Sequence, residues 1–204
     1  MENGCDIYKT ILKPSEEILY KDKKSKFYGY AFPILSEDEV KPIIEELKKK
    51  HPKVNHVCYA WQLGVKSPTY RTNDDGEPNN SAGMPILGQI KSYNVTNILV
   101  AIARVFGGTK LGVGGLITAY RSAAQIALEE STIIEKIIKY EFSISFDYPE
   151  MDKVMRIIKQ HHLEIVSKKT EINCTYTLAV REQEVTFITS LFTTMPNILL
   201  NKKT

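Results

Sequence analysis

Three groups of residues carry the chain's chemical potential. The first is the loop Gly107-Gly108-Thr109-Lys110-Leu111-Gly112-Val113-Gly114-Gly115, which holds five of the 11 glycines and opens a helix. Glycine is costly inside regular elements, so this density implies a backbone that turns tightly or is approached closely. A helix beginning near Gly115 presents unpaired N–H groups and the positive end of its dipole. Gly107, Gly108, Gly112, Gly114 and Gly115, with Lys110 and Arg104, therefore form a candidate site for an anion or a nucleic-acid backbone. Strand–helix packing alone is the competing reading of the same glycines. Leu111 after Lys110 excludes a P-loop, and Ile117 at the last required position excludes a dinucleotide fingerprint.

The second group is the acidic turn Asn73-Asp74-Asp75-Gly76-Glu77-Pro78. Asp74, Asp75 and Glu77 supply hard oxygens for a divalent cation or carboxylates for acid–base work. Calcium-hand spacing fails, because counting Gly76 as the loop's sixth position puts Ala82 where the bidentate glutamate belongs. No metal and no cofactor are expected. The alternative is a turn whose carboxylates pair with Arg71, Arg104 or Arg121.

The third is His56 with Cys58, which share a strand face at i, i+2 and form a conceivable nucleophile pair that Asp75 could orient. Burial of Cys58 as a small hydrophobe is the competing reading.

The elements that position these groups follow from periodicity. Phe27 to Phe32 reads as a strand. Ser36 caps a helix with Glu37, Asp38 and Glu39 in its first turn and Val40, Ile43, Ile44 and Leu47 on one face, stopped by His51-Pro52. His56 to Leu63 is a strand with His56, Cys58 and Ala60 on one side and Val57, Tyr59 and Trp61 on the other. Gly64 to Pro85 reads as a loop and Pro85 to Ser92 as a short helix. Ile98 to Val105 is a central strand, apolar on both faces until Arg104. Leu116, Ala119, Tyr120, Ala123, Ala124, Ala127 and Leu128 then fall at helical spacing.

A polar stop at Glu129-Glu130-Ser131-Thr132 suggests a domain boundary near residue 135, dividing the chain into 1–135 and 136–204. Beyond it come a strand over Tyr140 to Phe146, a helix through Val154, Ile157 and Ile158, and strands at Leu163 to Ser167 and Ile172 to Val180 flanking a Lys168-Lys169-Thr170 turn. A helix through Val185, Ile188, Leu191 and Phe192 follows, then a final strand at Asn197 to Leu200. This β-α-β-β-α-β order is the ferredoxin-like pattern, so the fold class is α+β.

The bulk numbers bound the function classes. A chain of 204 residues is long enough to build a core without staples, and 27 Lys and Arg against 24 Asp and Glu give a net charge of +3, which permits nucleic-acid contact. The three cysteines, Cys5, Cys58 and Cys174, have no CxxC spacing and read as reduced thiols. The acidic N-terminus and the absence of any run of about 18 apolar residues predict a cytoplasmic protein with no membrane partner.

Ser25-Lys26-Phe27, His56-Val57-Cys58-Tyr59-Ala60, Asp74-Asp75-Gly76-Glu77-Pro78 with Ser81-Ala82-Gly83, and Arg104-Val105-Phe106-Gly107-Gly108 continuing to Ala119-Tyr120 resemble the IMPACT/YigZ family over about residues 20 to 130. The chain departs from the family pattern at Val105, where an aromatic is common, and at Ser81, where Thr is usual. The resemblance implies that the N-terminal domain shares its fold with the second domain of a small-subunit ribosomal protein and domain four of elongation factor G. It implies a ferredoxin-like C-terminal extension similar to that factor's fifth domain. Eukaryotic relatives carry an RWD domain and regulate translation by competing for an activator of a starvation-response kinase, and there is no room for that domain before residue 20. The expectation is a non-enzymatic, translation-associated protein with RNA or the ribosome as partner. An enzyme acting on a phosphorylated or peptide-like small molecule through Asp75 and Glu77, with His56 and Cys58, and a protein-interaction module are the rivals.

Overall fold

The computed structural model describes residues 6–171 and 173–202. It has mixed α/β architecture with two larger sheets and one two-stranded sheet. Contacts divide it into residues 8–136 and residues 137–202, the latter including residues 6 and 7. That places Asp6 in the second unit rather than the first, because the Ile138 N–H donates to the Asp6 carbonyl at 2.6 Å.

The first unit contains β1 (Ile7–Ile11), β2 (Ile18–Asp22), β3 (Ser25–Pro33), α1 (Val40–Lys50), β4 (His56–Leu63), β5 (Thr69–Asn73), α2 (Gly83–Ser92), β6 (Ile98–Val105), α3 (Gly112–Glu129) and β7 (Ile133–Ile137). Its main sheet runs β2-β3-β6-β4-β5 and every pairing is antiparallel, while β1 and β7 form the two-stranded sheet. The central position of β6 explains its unbroken apolar run. Ile98, Val100 and Ile102 pack under α2 and α3, whereas Leu99, Ala101 and Ala103 pack toward α1. Alanines 119, 123, 124 and 127 are fully buried and bring α3 close to the sheet.

On the opposite face α1 seats Val40 and Leu47, preceded by a capping box in which Glu39 Oε1 accepts from the Leu35 and Ser36 N–H groups at 2.7 and 2.9 Å. Pro42 falls in the helix's first turn, where the missing N–H costs little.

Four local expectations require correction. Residues 69–73 are not loop: β5 pairs with β4, and its polar, mostly exposed residues leave no apolar alternation to detect. The helix after the glycine loop starts at Gly112, three residues earlier than expected, because Gly112 turns the chain into it at φ +74°. The segment near residue 135 is the strand β7 rather than a linker. Lys168, Lys169 and Thr170 are not a turn but the end of a longer strand, opposite Tyr176, Thr175 and Cys174.

The second unit contains β8 (Lys139–Phe146), α4 (Met151–Gln160), β9 (Glu164–Thr170), β10 (Cys174–Arg181), α5 (Val185–Thr193) and β11 (Ile198–Lys202). Its antiparallel sheet runs β11-β8-β10-β9. Phe142, Ile144, Phe146, Tyr176 and Leu178 form one sheet face, and Val154, Ile158, Ile188 and Phe192 cover it. The other face pairs hydroxyls, Ser143 with Thr177 and Ser145 with Thr175, each at 3.1 Å. Cys5 and Ile172 lie outside the described residues.

Candidate functional site

Arg104 stands two residues beyond Ile102 on the face of β6 that α3 covers, so the alternation that buries the strand also buries this cation. Its cross-strand neighbours are Phe27 on β3 and His56 on β4. The guanidinium carbon lies 5.5 Å from the Phe27 ring centre and 5.6 Å from that of Phe106. Only 5 % of Arg104 is exposed, and Nη1 donates to Glu77 Oε1 at 2.5 Å. Among the described residues the Arg104 Nε–H is buried without an acceptor.

Glu77, 9 % exposed, is held from two sides. Beside Arg104, the Tyr120 hydroxyl donates to the same Oε1 at 2.8 Å. The Cys58 thiol donates to the Tyr120 oxygen at 3.3 Å and to the Asp74 carbonyl at 3.0 Å. Burial pushes both the Cys58 thiol and the Tyr120 phenol well up, so neither ionises here. The expected nucleophile pair does not assemble: Cys58 is fully buried within the core beneath α2 and α3, while His56 lines the cleft described below. His56 is oriented by Asp75, but through the backbone, its Nδ1–H donating to the Asp75 carbonyl at 2.7 Å. That bond leaves Nε2 as the imidazole's acceptor.

The acidic turn spreads its three carboxylates apart. Asp74 Oδ1 accepts from the Ala82 and Gly83 N–H groups at 2.9 and 2.8 Å, and Oδ2 accepts from Asn80 at 2.8 Å. This side chain caps α2 from nine residues upstream, where Ala82 at the N-cap offers no side-chain acceptor. Asp75 Oδ2 accepts from the Val57 N–H at 2.7 Å, and Lys48 lies 3.3 Å from both oxygens. With Glu77 turned to Arg104, no group of three His, Cys, Asp or Glu side chains among the described residues is arranged to hold a metal ion. Of the arginines considered for pairing, Arg104 takes Glu77, whereas Arg71 pairs with Glu37 at 2.6 Å.

The glycine loop divides by cause. A Cβ on Gly107 would fall 2.0 Å from the Lys24 carbonyl carbon, so that residue serves packing against the β2–β3 turn. Gly108 and Gly112 hold φ of +87° and +74°. Gly115 meets the Leu111 side chain at 3.1 Å. Gly114 has neither reason: its φ is not positive and a Cβ there would meet nothing.

These parts converge. A cleft of about 470 Å³ is lined by Glu77 and Arg104 at the sheet, by His56 and Asn55 beside them, and by Lys110, Gly112 and Val113 at the start of α3. Leu111, Leu116 and Phe106 add an apolar surface, with Phe106 43 % and Val113 53 % exposed. The unpaired N–H groups of the first turn of α3 have no side-chain cap from Leu111. Sequence reasoning missed Phe106 and Tyr120 as parts of this arrangement. Phe106 was detectable as an aromatic directly after an apolar strand, whereas Tyr120 looked like one more core position on α3.

No helix among the described residues is long and apolar enough to cross a membrane. The profile of the Impact N-terminal domain matches residues 23–128, a span that contains all of these cleft residues. An IMPACT family member from Thermus thermophilus is 34 % identical over 142 residues, covering 70 % of this chain and 76 % of that protein. IMPACT family member YvyE of Bacillus subtilis is 28 % identical over 175 residues, covering 86 % and 81 %. A crystal structure described as that of a hypothetical protein superposes with a TM-score of 0.74 at 24 % identity over 97 % of this chain and 98 % of that one, a likeness of fold. The chain therefore belongs to the IMPACT family, with its N-terminal domain over residues 23–128.

Proposed function

We propose that the protein acts in translation in the cytoplasm, contacting RNA or the ribosome through the glycine-rich loop at the N-terminus of α3. The observation that carries this reading is the shared cleft: Lys110, Arg104 and the uncapped first turn of α3 face one volume. A helix N-terminus beside two cations attracts phosphate, and the glycines Gly108, Gly112 and Gly114 keep side chains out of its way. Family resemblance adds the translational context. The same reading takes the first unit as the fold of the ribosomal-protein and elongation-factor domains, and the second as ferredoxin-like, supported by its β-α-β-β-α-β order and β11-β8-β10-β9 sheet.

Co-sedimentation of the purified chain with ribosomes and total RNA over a salt series, beside Lys110→Glu, tests the reading. Binding that weakens with salt and with the substitution is expected. Absence of binding at every salt concentration, or binding indifferent to Lys110→Glu at low salt, overturns it.

A further inference from the structure

The cleft at the start of α3 holds more than a passing backbone contact requires. We infer that it is a pocket for a single nucleoside monophosphate unit, with the phosphate on the first turn of α3 beside Lys110 and Arg104 and the base against Phe106. This inference rests on the RNA reading above and names what enters the site.

Arg104 is the first observation. Its side chain is nine-tenths buried in the cleft wall, yet among the described residues its only hydrogen bond goes to Glu77 through Nη1, and its Nε–H has no acceptor. A buried donor without an acceptor costs on the order of 1–3 kcal/mol, which a bound anion would offset. Glu77 already neutralises the Arg104 charge, so Lys110 and the dipole of α3 supply the net attraction for an anion.

Gly114 is the second observation and is independent of the first. Glycine in a helix is less favourable than alanine by about 0.8–1 kcal/mol, and at this position neither backbone angle nor neighbouring atoms demand it. A ligand resting on the helix's first turn does demand it. The phosphate must also be terminal, because a donor in the wall of a pocket at 5 % exposure leaves no room for a chain to continue on both sides. A phosphomonoester meets that requirement.

The remaining lining selects the rest of the ligand. Phe106 offers a half-exposed ring whose one neighbouring cation, Arg104, sits 5.6 Å from its centre, a surface suited to stacking a base. His56 is fixed with Nε2 as acceptor and can take a hydrogen bond from a ribose hydroxyl. A cleft of about 470 Å³ lies within the range of small-ligand pockets. The monophosphate unit has two sources of identical chemistry, a free nucleotide and the 5′ end of an RNA.

The test titrates the full chain with adenosine 5′-monophosphate, adenosine and inorganic phosphate, and with one RNA pentamer bearing either a 5′-phosphate or a 5′-hydroxyl. Wild type is compared with Gly114→Ala, whose added methyl meets no protein atom and leaves the fold intact. The expected result is binding of the monophosphate at least tenfold tighter than of adenosine or phosphate, reduced at least tenfold by Gly114→Ala. The 5′-phosphate pentamer outcompeting its 5′-hydroxyl form by a similar factor assigns the site to RNA ends, and equal competition by the two pentamers beside tight monophosphate binding assigns it to free nucleotide. Salt-dependent RNA binding that ignores both the 5′-phosphate and the monophosphate overturns the pocket while leaving the RNA reading standing. Inorganic phosphate competing as well as the monophosphate overturns the nucleotide assignment.

Discussion

Arg104 Nη1 and Glu77 Oε1 lie 2.5 Å apart with both residues at least nine-tenths buried, which joins the last turn-out of the central strand to the acidic turn. The pair fixes one wall of the cleft and ties 27 residues of intervening chain, including α2, to β6. Two buried opposite charges gain their attraction only while both are present.

Removing one partner is therefore costly. Glu77→Ala strands the Arg104 charge and is expected to lower unfolding free energy by about 3–5 kcal/mol in urea titration. Adding Arg104→Met to Glu77→Ala should recover more than half of that loss, since an apolar pair avoids the unpaired charge. A double variant as unstable as Glu77→Ala alone would show that the pair does not act as described.

Gly114→Ala should move stability and binding in opposite directions. The methyl meets open space on a helix, so the midpoint of urea unfolding is expected to rise, with a gain of about 0.5–1 kcal/mol. A loss of stability would mean that Gly114 is kept for the fold.

Asp74 is expected to matter through its backbone partners rather than through chemistry. Asp74→Ala frees three N–H groups and the N-terminus of α2, at a cost of about 2–3 kcal/mol. Asp74→Asn retains an oxygen for Ala82 and Gly83, so thermal unfolding should show it retaining most of the wild-type stability. Equal loss in the two variants would contradict the capping role.

On the α1 side of the sheet the Tyr30 hydroxyl donates to Glu17 and lies 2.5 Å from His51 Nε2, and the His51 ring stacks on Tyr28 at 4.5 Å. Burial holds His51 below its ordinary 6.5, so the unfolded chain takes up this proton first as pH falls. Its contribution is full above about 6.5 and is lost as pH drops through the lowered folded value. The hydrogen bond from Tyr30 holds Glu17 below 4.5, and that contribution is likewise lost on acidification, below about 4.5. Stability measured between about pH 7.5 and about pH 5.5 should fall for wild type and flatten in His51→Phe. The same slope in both proteins would remove His51 from the account.

Thiol labelling checks the reading of Cys58. In a Cys5→Ser background, Cys58 and Cys174 are both buried, at 0 % and 1 % exposure, so native protein should take up almost no reagent and unfolded protein two equivalents. Rapid native labelling at Cys58 would reinstate it as a reactive group.

Legibility in the sequence tracked apolar patterning. Residues 98–105 announced a strand buried on both faces, and Val40, Ile43, Ile44 and Leu47 announced the helix across from α3. The strand β5 was illegible because an exposed edge strand needs no apolar residues. The cap on α2 was hidden because Asp74 reaches it from nine residues away, whereas a local capping rule looks at Ala82. The Arg104–Glu77 pair stood among several charge-compatible pairings, and only the register placing Arg104 beside His56 and Phe27 selects it. Glycine density pointed to the loop, but separating Gly107, needed for packing, from Gly114, needed for nothing inside the protein, required the surrounding atoms.

The most direct measurement is the salt dependence of affinity for a short fluorescent single-stranded RNA, by anisotropy between about 50 and about 200 mM salt, for wild type and Lys110→Glu. A phosphate contact at the cleft predicts weaker binding by the variant and a salt slope reduced by about 1. The same affinity and slope in both proteins would contradict the assignment of the α3 N-terminus as the RNA-contacting site.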